Sequence, residues 1–170
     1  YFPLKHRHSS TQNATYSIPR HAGTVYSLAL LFRYTAEERF RVGAEQAITG
    51  LSKRSHHGCG ADMGTCIEKR GRADLGSAAL TAVGLLEYQR STGDSRYTND
   101  AHRLLNFIMY LQRENGDFHH LYDVESKAII PDHRSMFYSE EAALALVMGF
   151  KVLGKQTYLT AGKRALDYLT

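Results

Sequence analysis

One plan recurs three times along this 170-residue chain: a helix rich in small residues and leucine, a short polar turn, an aromatic, and a second, amphipathic helix. The segments run from His21 to Leu51, from Leu75 to Arg113 and from Tyr138 to Thr170. With Phe40, Tyr97 and Tyr158 aligned, Leu28, Leu85 and Leu146 fall at one offset. The turns Ala36-Glu37-Glu38, Gly93-Asp94-Ser95 and Gly154-Lys155-Gln156 coincide as well. The spacing is 57 and then 61 residues. A single helical hairpin cannot bury its apolar face alone, so repeated hairpins stack around a shared core.

Within each unit the two helices differ. The first is apolar or small nearly all round (Ala78, Ala79, Leu80, Ala82, Val83, Leu85, Leu86), the pattern of an element covered on several sides. The second carries one apolar stripe, such as Ala101, Leu104, Leu105, Ile108 and Leu111, with Asn99, Asp100, Arg103 and Arg113 off it. The spacing therefore predicts inner and outer helices, with Asp94 or Ser95 capping the second outer helix. The stretches Ser52 to Asp74 and Glu114 to Phe137 exceed ordinary loop length, and loops that long in a compact domain are usually functional. Partial alternation over Asp117 to Ile130 suggests a short β-hairpin there.

Composition narrows the function classes. With 43% hydrophobic residues and only 3 Pro, the chain is neither disordered nor fibrous. No apolar run approaches the ~18 residues that span a bilayer, so no membrane span is expected. A net charge of +4 raises the possibility of a polyanion partner, but the basic residues are scattered and interleaved with acids, so no nucleic-acid partner is expected. The chain opens on Tyr1 rather than Met, which reads as a trimmed start, and the compartment stays open.

The hairpin plan resembles the (α/α)6 toroid of the six-hairpin glycosidase superfamily, related in plan to the N-acylglucosamine 2-epimerases. In particular it is similar to a group of bacterial six-hairpin-like proteins whose inner helices open on R-H-A-G-T, C-x-x-x-x-G-x-A-x-L-G and Y-P-G-E-A segments. Here these read Arg20-His21-Ala22-Gly23-Thr24; Cys66 with Gly71, Ala73 and Leu75-Gly76; and Tyr138-Ser139-Glu140-Glu141-Ala142. Ser-Glu replaces Pro-Gly in the last, while Glu141 keeps its place. The resemblance runs from about Thr15 to Thr170. It implies an all-α toroid domain over 1–170, with hairpins at about 21–54, 75–113 and 138–170. Three hairpins make half a ring, and residue 170 falls inside an outer helix without a Gly or Asn stop signal. The expectation is a piece of a longer chain supplying the rest of the toroid, or else self-association.

A toroid gathers the starts of its inner helices at one mouth, which selects the residues that could carry chemistry. Glycosidic bond chemistry needs one carboxyl to protonate the leaving oxygen and a second to activate water or attack, roughly 5 to 9.5 Å away. Glu141 and Asp74 form the candidate pair, although an acid in a first helical turn is favourable for the helix alone. His21 is a further acid/base candidate, and Arg20 suits a sugar carboxylate or phosphate. Tyr138, Glu140, His119, His120 and Tyr122 are candidate substrate contacts. Of the adjacent pair His119 and His120, at most one points inward. Asp117 reads as a turn residue. The aromatics Tyr16, Tyr26, Phe137 and Tyr138 could stack on sugar rings.

No cofactor is called for. The His56-His57-Gly58-Cys59 run with Cys66 has zinc-ligand residue types but no standard zinc spacing, and free thiols are favoured over zinc or a local disulfide. Asn13-Ala14-Thr15 matches a glycosylation acceptor, a pattern common by chance. Two readings follow: a carbohydrate-active enzyme acting on a glycan or uronic-acid-containing sugar by carboxylate acid/base chemistry, a hydrolase, lyase or epimerase; or a non-catalytic helical module that binds a glycan or a protein.

Overall fold

A computed structural model describes residues 16–60 and 64–170, so the Asn13-Ala14-Thr15 tripeptide lies outside it. The described residues form helices α1 (Ile18–Thr35), α2 (Glu38–Ser52), α3 (Leu75–Thr92), α4 (Thr98–Tyr110), α5 (Tyr138–Leu153) and α6 (Gln156–Leu169). They pair as three hairpins. In each, the first helix ends on a residue in the left-handed region: Ala36 (φ 55°), Gly93 (φ 75°) and Gly154 (φ 73°). That cap turns the chain and lets its own N–H bond a carbonyl of the last turn. The residue before α4 is Tyr97, with no side-chain cap. Asp94 is drawn away from the expected capping role because it accepts from the N–H and Nε of Arg96.

The helices α1, α3 and α5 lie side by side with α3 in the middle, and α2, α4 and α6 flank them from outside. The central helix is accordingly buried from Leu75 through Tyr88, only Leu80 being half-buried. Small residues permit the close approach: a Cβ at Gly84 would stand 3.1 Å from the Val25 side chain. On the other flank of the arc, Leu144, Leu166 and Leu169 of α5 and α6 remain exposed, bordering an apolar groove. No described helix is long and apolar enough to cross a membrane.

The expected all-α fold with one short hairpin needs correction. Five strands, β1 (Ser55–Cys59), β2 (Gly64–Lys69), β3 (Arg72–Asp74), β4 (Leu121–Asp123) and β5 (Ala128–Ile130), form an antiparallel meander in sequence order. The hairpin expected within 117–130 is β4–β5, and strands at 55–74 join it. The sheet curls because β2 is shared: residues 64–67 pair with β1, while Glu68 and Lys69 pair with β3. Arg70 (φ 57°) and Gly71 (φ 76°) make the two-residue turn between β2 and β3, where both φ angles must be positive. These strands escape a periodicity reading because Ser55-His56-His57-Gly58-Cys59 does not alternate; distant pairing, Ala73 opposite Tyr122, holds them instead.

The cysteines also differ from expectation. Cys59 and Cys66 are bonded to each other across the β1–β2 hairpin and are buried. Sulfurs joined in this way are not thiolates, so the zinc reading of this segment loses its ligands.

Candidate functional site

The starts of α1, α3 and α5 converge on a cleft of about 380 Å³ whose walls include Tyr16, Arg20, Lys69, Asp74, Ser77 and Tyr138. Local structure brings each there. Ser17 caps α1, its Oγ accepting from Arg20 N–H at 3.5 Å, with Pro19 in the first turn. Strand β3 runs straight into α3, so Asp74 is both its last residue and the helix cap. Its Oδ1 accepts from Ser77 N–H at 2.7 Å and its Oδ2 from Ser77 Oγ at 2.8 Å. The Leu75 N–H donates to His120 O at 3.0 Å, fixing the segment before β4 beside the mouth.

Glu141 and Tyr138 sit one turn apart on α5, over Gly76 of α3. A Cβ at Gly76 would meet the Tyr138 ring at 2.4 Å and Glu141 Oε2 at 2.6 Å, so the missing side chain is what admits both. Glu141 Oε2 is buried and has no hydrogen-bond partner among the described residues. Burial first, then the negative charges of Asp74 and Glu140, push the Glu141 carboxyl up to about 7. Tyr138 is pushed up to about 12, again by burial first and then by Asp74.

Behind the cleft runs a buried polar chain. The Ser135 N–H donates to His120 Nδ1 at 2.9 Å, which leaves the proton on Nε2, facing Ser139 Oγ at 3.1 Å. Ser139 Oγ donates to Asp117 Oδ1 at 3.2 Å, and Arg134 Nη1 stands 2.7 Å from Asp117 Oδ2. Burial opposes ionisation of Asp117, but the Phe118 N–H and Arg134 prevail and hold its pKa below the usual carboxylate range. Burial, assisted by Arg134, pushes His120 down and favours the neutral ring.

Of the residues expected at the mouth, Arg20, Asp74 and Tyr138 line the cleft and Glu141 stands against it through Gly76 and Tyr138. His21 lies one layer back, its Nδ1 bonded to the Tyr16 hydroxyl and its ring against Gly50. His120 turns inward and touches the Tyr138 ring, with centroids 5.6 Å apart. His119 turns to Arg113, whose Nη2 reaches its Nδ1 at 3.2 Å. Tyr122 is not a rim residue: it is 1% exposed, packed edge-on against Phe107, with its hydroxyl accepting from Gly60 N–H. Glu140 faces outward beside the apolar groove, Tyr26 packs on the core, and Phe137 is exposed.

Sequence reasoning missed Lys69, Ser139 and Arg134, and it took Asp117 for a turn residue. Asn115 has that job, accepting from Asp117 N–H at 3.2 Å. No local pattern marks Lys69 and Arg134, which the end of β2 and the loop before α5 bring in, while Ser139 stands beside Tyr138 on α5 and its role shows only through its bond to Asp117.

No family model matches this sequence, and no curated protein matches it. Solved structures do resemble its fold. A family 76 glycoside hydrolase, a mannosidase from Bacteroides thetaiotaomicron, superposes with a TM-score of 0.76 at 15% identity, over 88% of this chain and 43% of that one. A second family 76 glycoside hydrolase, from a bovine Bacteroides thetaiotaomicron strain, gives 0.75 at 14% identity, over 89% and 34%. A sugar epimerase from a ruminal bacterium gives 0.73 at 12% identity, over 88% and 42%. The described hairpins therefore share their fold with part of these structures, and the chain spans less than half the length of each.

Proposed function

Taking this arc of an (α/α)6 toroid as the starting point, we propose that the protein acts on a carbohydrate held in the cleft at the inner-helix starts, with Glu141 as general acid/base. The observation that carries the reading is the Glu141 carboxyl, buried with an orphaned oxygen, its proton held to about pH 7 beside a second carboxyl group. Two carboxyl groups in unlike environments are what acid/base work on a glycosidic bond or a sugar carbon requires. Asp74 is the second carboxylate, oriented by its bonds to Ser77. Arg20 and Lys69 supply cationic contacts in the cleft lining, and Tyr138 bonds the ring hydroxyls. His21 acts through Tyr16 as a positioning residue, and His120 through Ser139 and Tyr138. Further hairpins, or a second copy, complete the ring against α5 and α6.

The test is turnover of a panel of neutral and uronic-acid oligosaccharides, read as new reducing ends, unsaturated products or changed sugar configuration. Glu141→Gln is expected to keep the fold and lose about 100-fold or more in rate. Full turnover in that variant would overturn the assignment. One observation favours a second reading, a non-catalytic glycan- or protein-binding module: both oxygens of Asp74 are already engaged by Ser77. Saturable binding without any turnover, equal in wild type and Glu141→Gln, would decide for it.

A further inference from the structure

A second cavity, of about 250 Å³, lies farther along the central helix than the mouth, beside Thr81 and Leu85. The last turn of α2, the outer face of α3, the start of α4 and the β1–β2 hairpin wall it, so every wall belongs to this chain. Its floor is aliphatic, from Leu51, Leu85 and Leu104. Its polar side is built from His57, Thr65 and Asp100.

The roof is held rigidly. The Cys59–Cys66 bond crosses the hairpin on the strands that carry His57 and Thr65. His57 Nδ1 lies 2.9 Å from Thr65 Oγ1, which also accepts from Arg103 Nε at 3.1 Å. Asp100 lines the same space, and its side chain has no hydrogen bond or ion pair among the described residues, although Arg103 is only one turn away on α4. Arg103 is committed to the roof instead.

Charge and size together select the occupant. An anion is disfavoured by the unpaired Asp100 carboxylate, and a cation by the Arg103 guanidinium behind the roof. Drug-sized ligands fill about 300 to 1,000 Å³, so this space suits a single small ring. An aliphatic floor facing hydrogen-bonding groups matches a molecule with one C–H face and hydroxyls at its edge. We propose that this cavity is a second binding site, independent of the mouth, for a neutral polyhydroxylated ring of one-sugar size, which donates to Asp100 and lies on Leu85 and Leu104.

The test is calorimetric titration of the full chain with methyl α-mannoside, methyl α-glucoside and inositol, and with glucosamine and glucuronate as charged counterparts. Methyl resonances of Leu85 and Leu104 report the site occupied. At least one neutral ring is expected to saturate and shift both leucines. Asp100→Asn should weaken it about ten-fold or more, and the paired Cys59→Ser, Cys66→Ser variant should weaken it by loosening the roof. Circular dichroism checks that both variants stay folded. Three results would each overturn the proposal: no saturable binding of any neutral ring, tighter binding of a charged counterpart, or binding that leaves Leu85 and Leu104 unmoved.

Discussion

Glu141 reaches across to α3 at Gly76, a position without a side chain, where a Cβ would lie 2.6 Å from its Oε2. Alanine ordinarily improves a helix by about 0.5 to 1 kcal/mol over glycine. Here the added methyl would also collide with the Tyr138 ring, 2.4 Å away, and α5 would have to move. Gly76→Ala is expected to destabilise by about 1 to 3 kcal/mol, the usual cost of overpacking, in urea unfolding. Unchanged or higher stability would mean that α5 does not rest on α3 at this point.

The Glu141 carboxyl gives stability an uncommon pH sense. Its pKa rises from 4.5 to about 7 on folding, so between those values the folded chain holds a proton that the unfolded chain has lost. Stability from this group is full below the lower value and declines as pH rises through the upper one. His120, lowered by burial, works the other way and weakens the fold as pH drops below its ordinary value of 6.5. Thermal melts of wild type and Glu141→Gln across pH 5 to 8 separate the two. The variant should gain on wild type as pH rises to about 7 and level off above it, and parallel curves would show that Glu141 titrates normally.

Ala36 occupies the left-handed position that its counterparts fill with Gly93 and Gly154. A residue with a Cβ pays about 1 to 2 kcal/mol there, partly offset by glycine's greater freedom when unfolded. Ala36→Gly should therefore stabilise by about 0.5 to 1 kcal/mol, measured as a higher denaturation midpoint with unchanged slope. A loss would show that the first turn gains something else from the methyl group.

The bond between Cys59 and Cys66 closes a short loop, the two being seven residues apart. By chain entropy alone such a loop contributes about 2 to 3 kcal/mol. Unfolding of the paired Cys59→Ser, Cys66→Ser variant should show a loss of that size, while α5 and α6, remote from the hairpin, keep their helical signal. An unaltered midpoint would remove the bond from the structural account.

The three hairpins were legible because their information is local: inner helices uniformly apolar, outer ones striped, turns at matching offsets. Asp74, Tyr138 and Glu141 were legible for a related reason, since each stands at an inner-helix start, a place that the repeat itself marks. The sheet was not, because β3 finds its partner about fifty residues away and its three residues carry no pattern of their own. The pairing of the cysteines depends on the β1–β2 hairpin, and spacing alone does not show it. Asp117 was misread because its sequence context, Asn115-Gly116-Asp117, announces a turn, while Ser139 and Arg134, which give it another use, arrive with α5.

The ladder between Ala73 and Tyr122 does more than shape the mouth. It joins the chain just before α3 to the chain just after α4, so the middle hairpin is a loop whose two ends are knotted to each other. Among the described residues no strand ladder ties the ends of either flanking hairpin. As the molecule breathes, α1–α2 and α5–α6 can open one at a time while the tied loop between them stays whole. Amides along α3 should thus be the last to exchange with solvent, and the middle hairpin the smallest piece to keep its structure when its neighbours are lost.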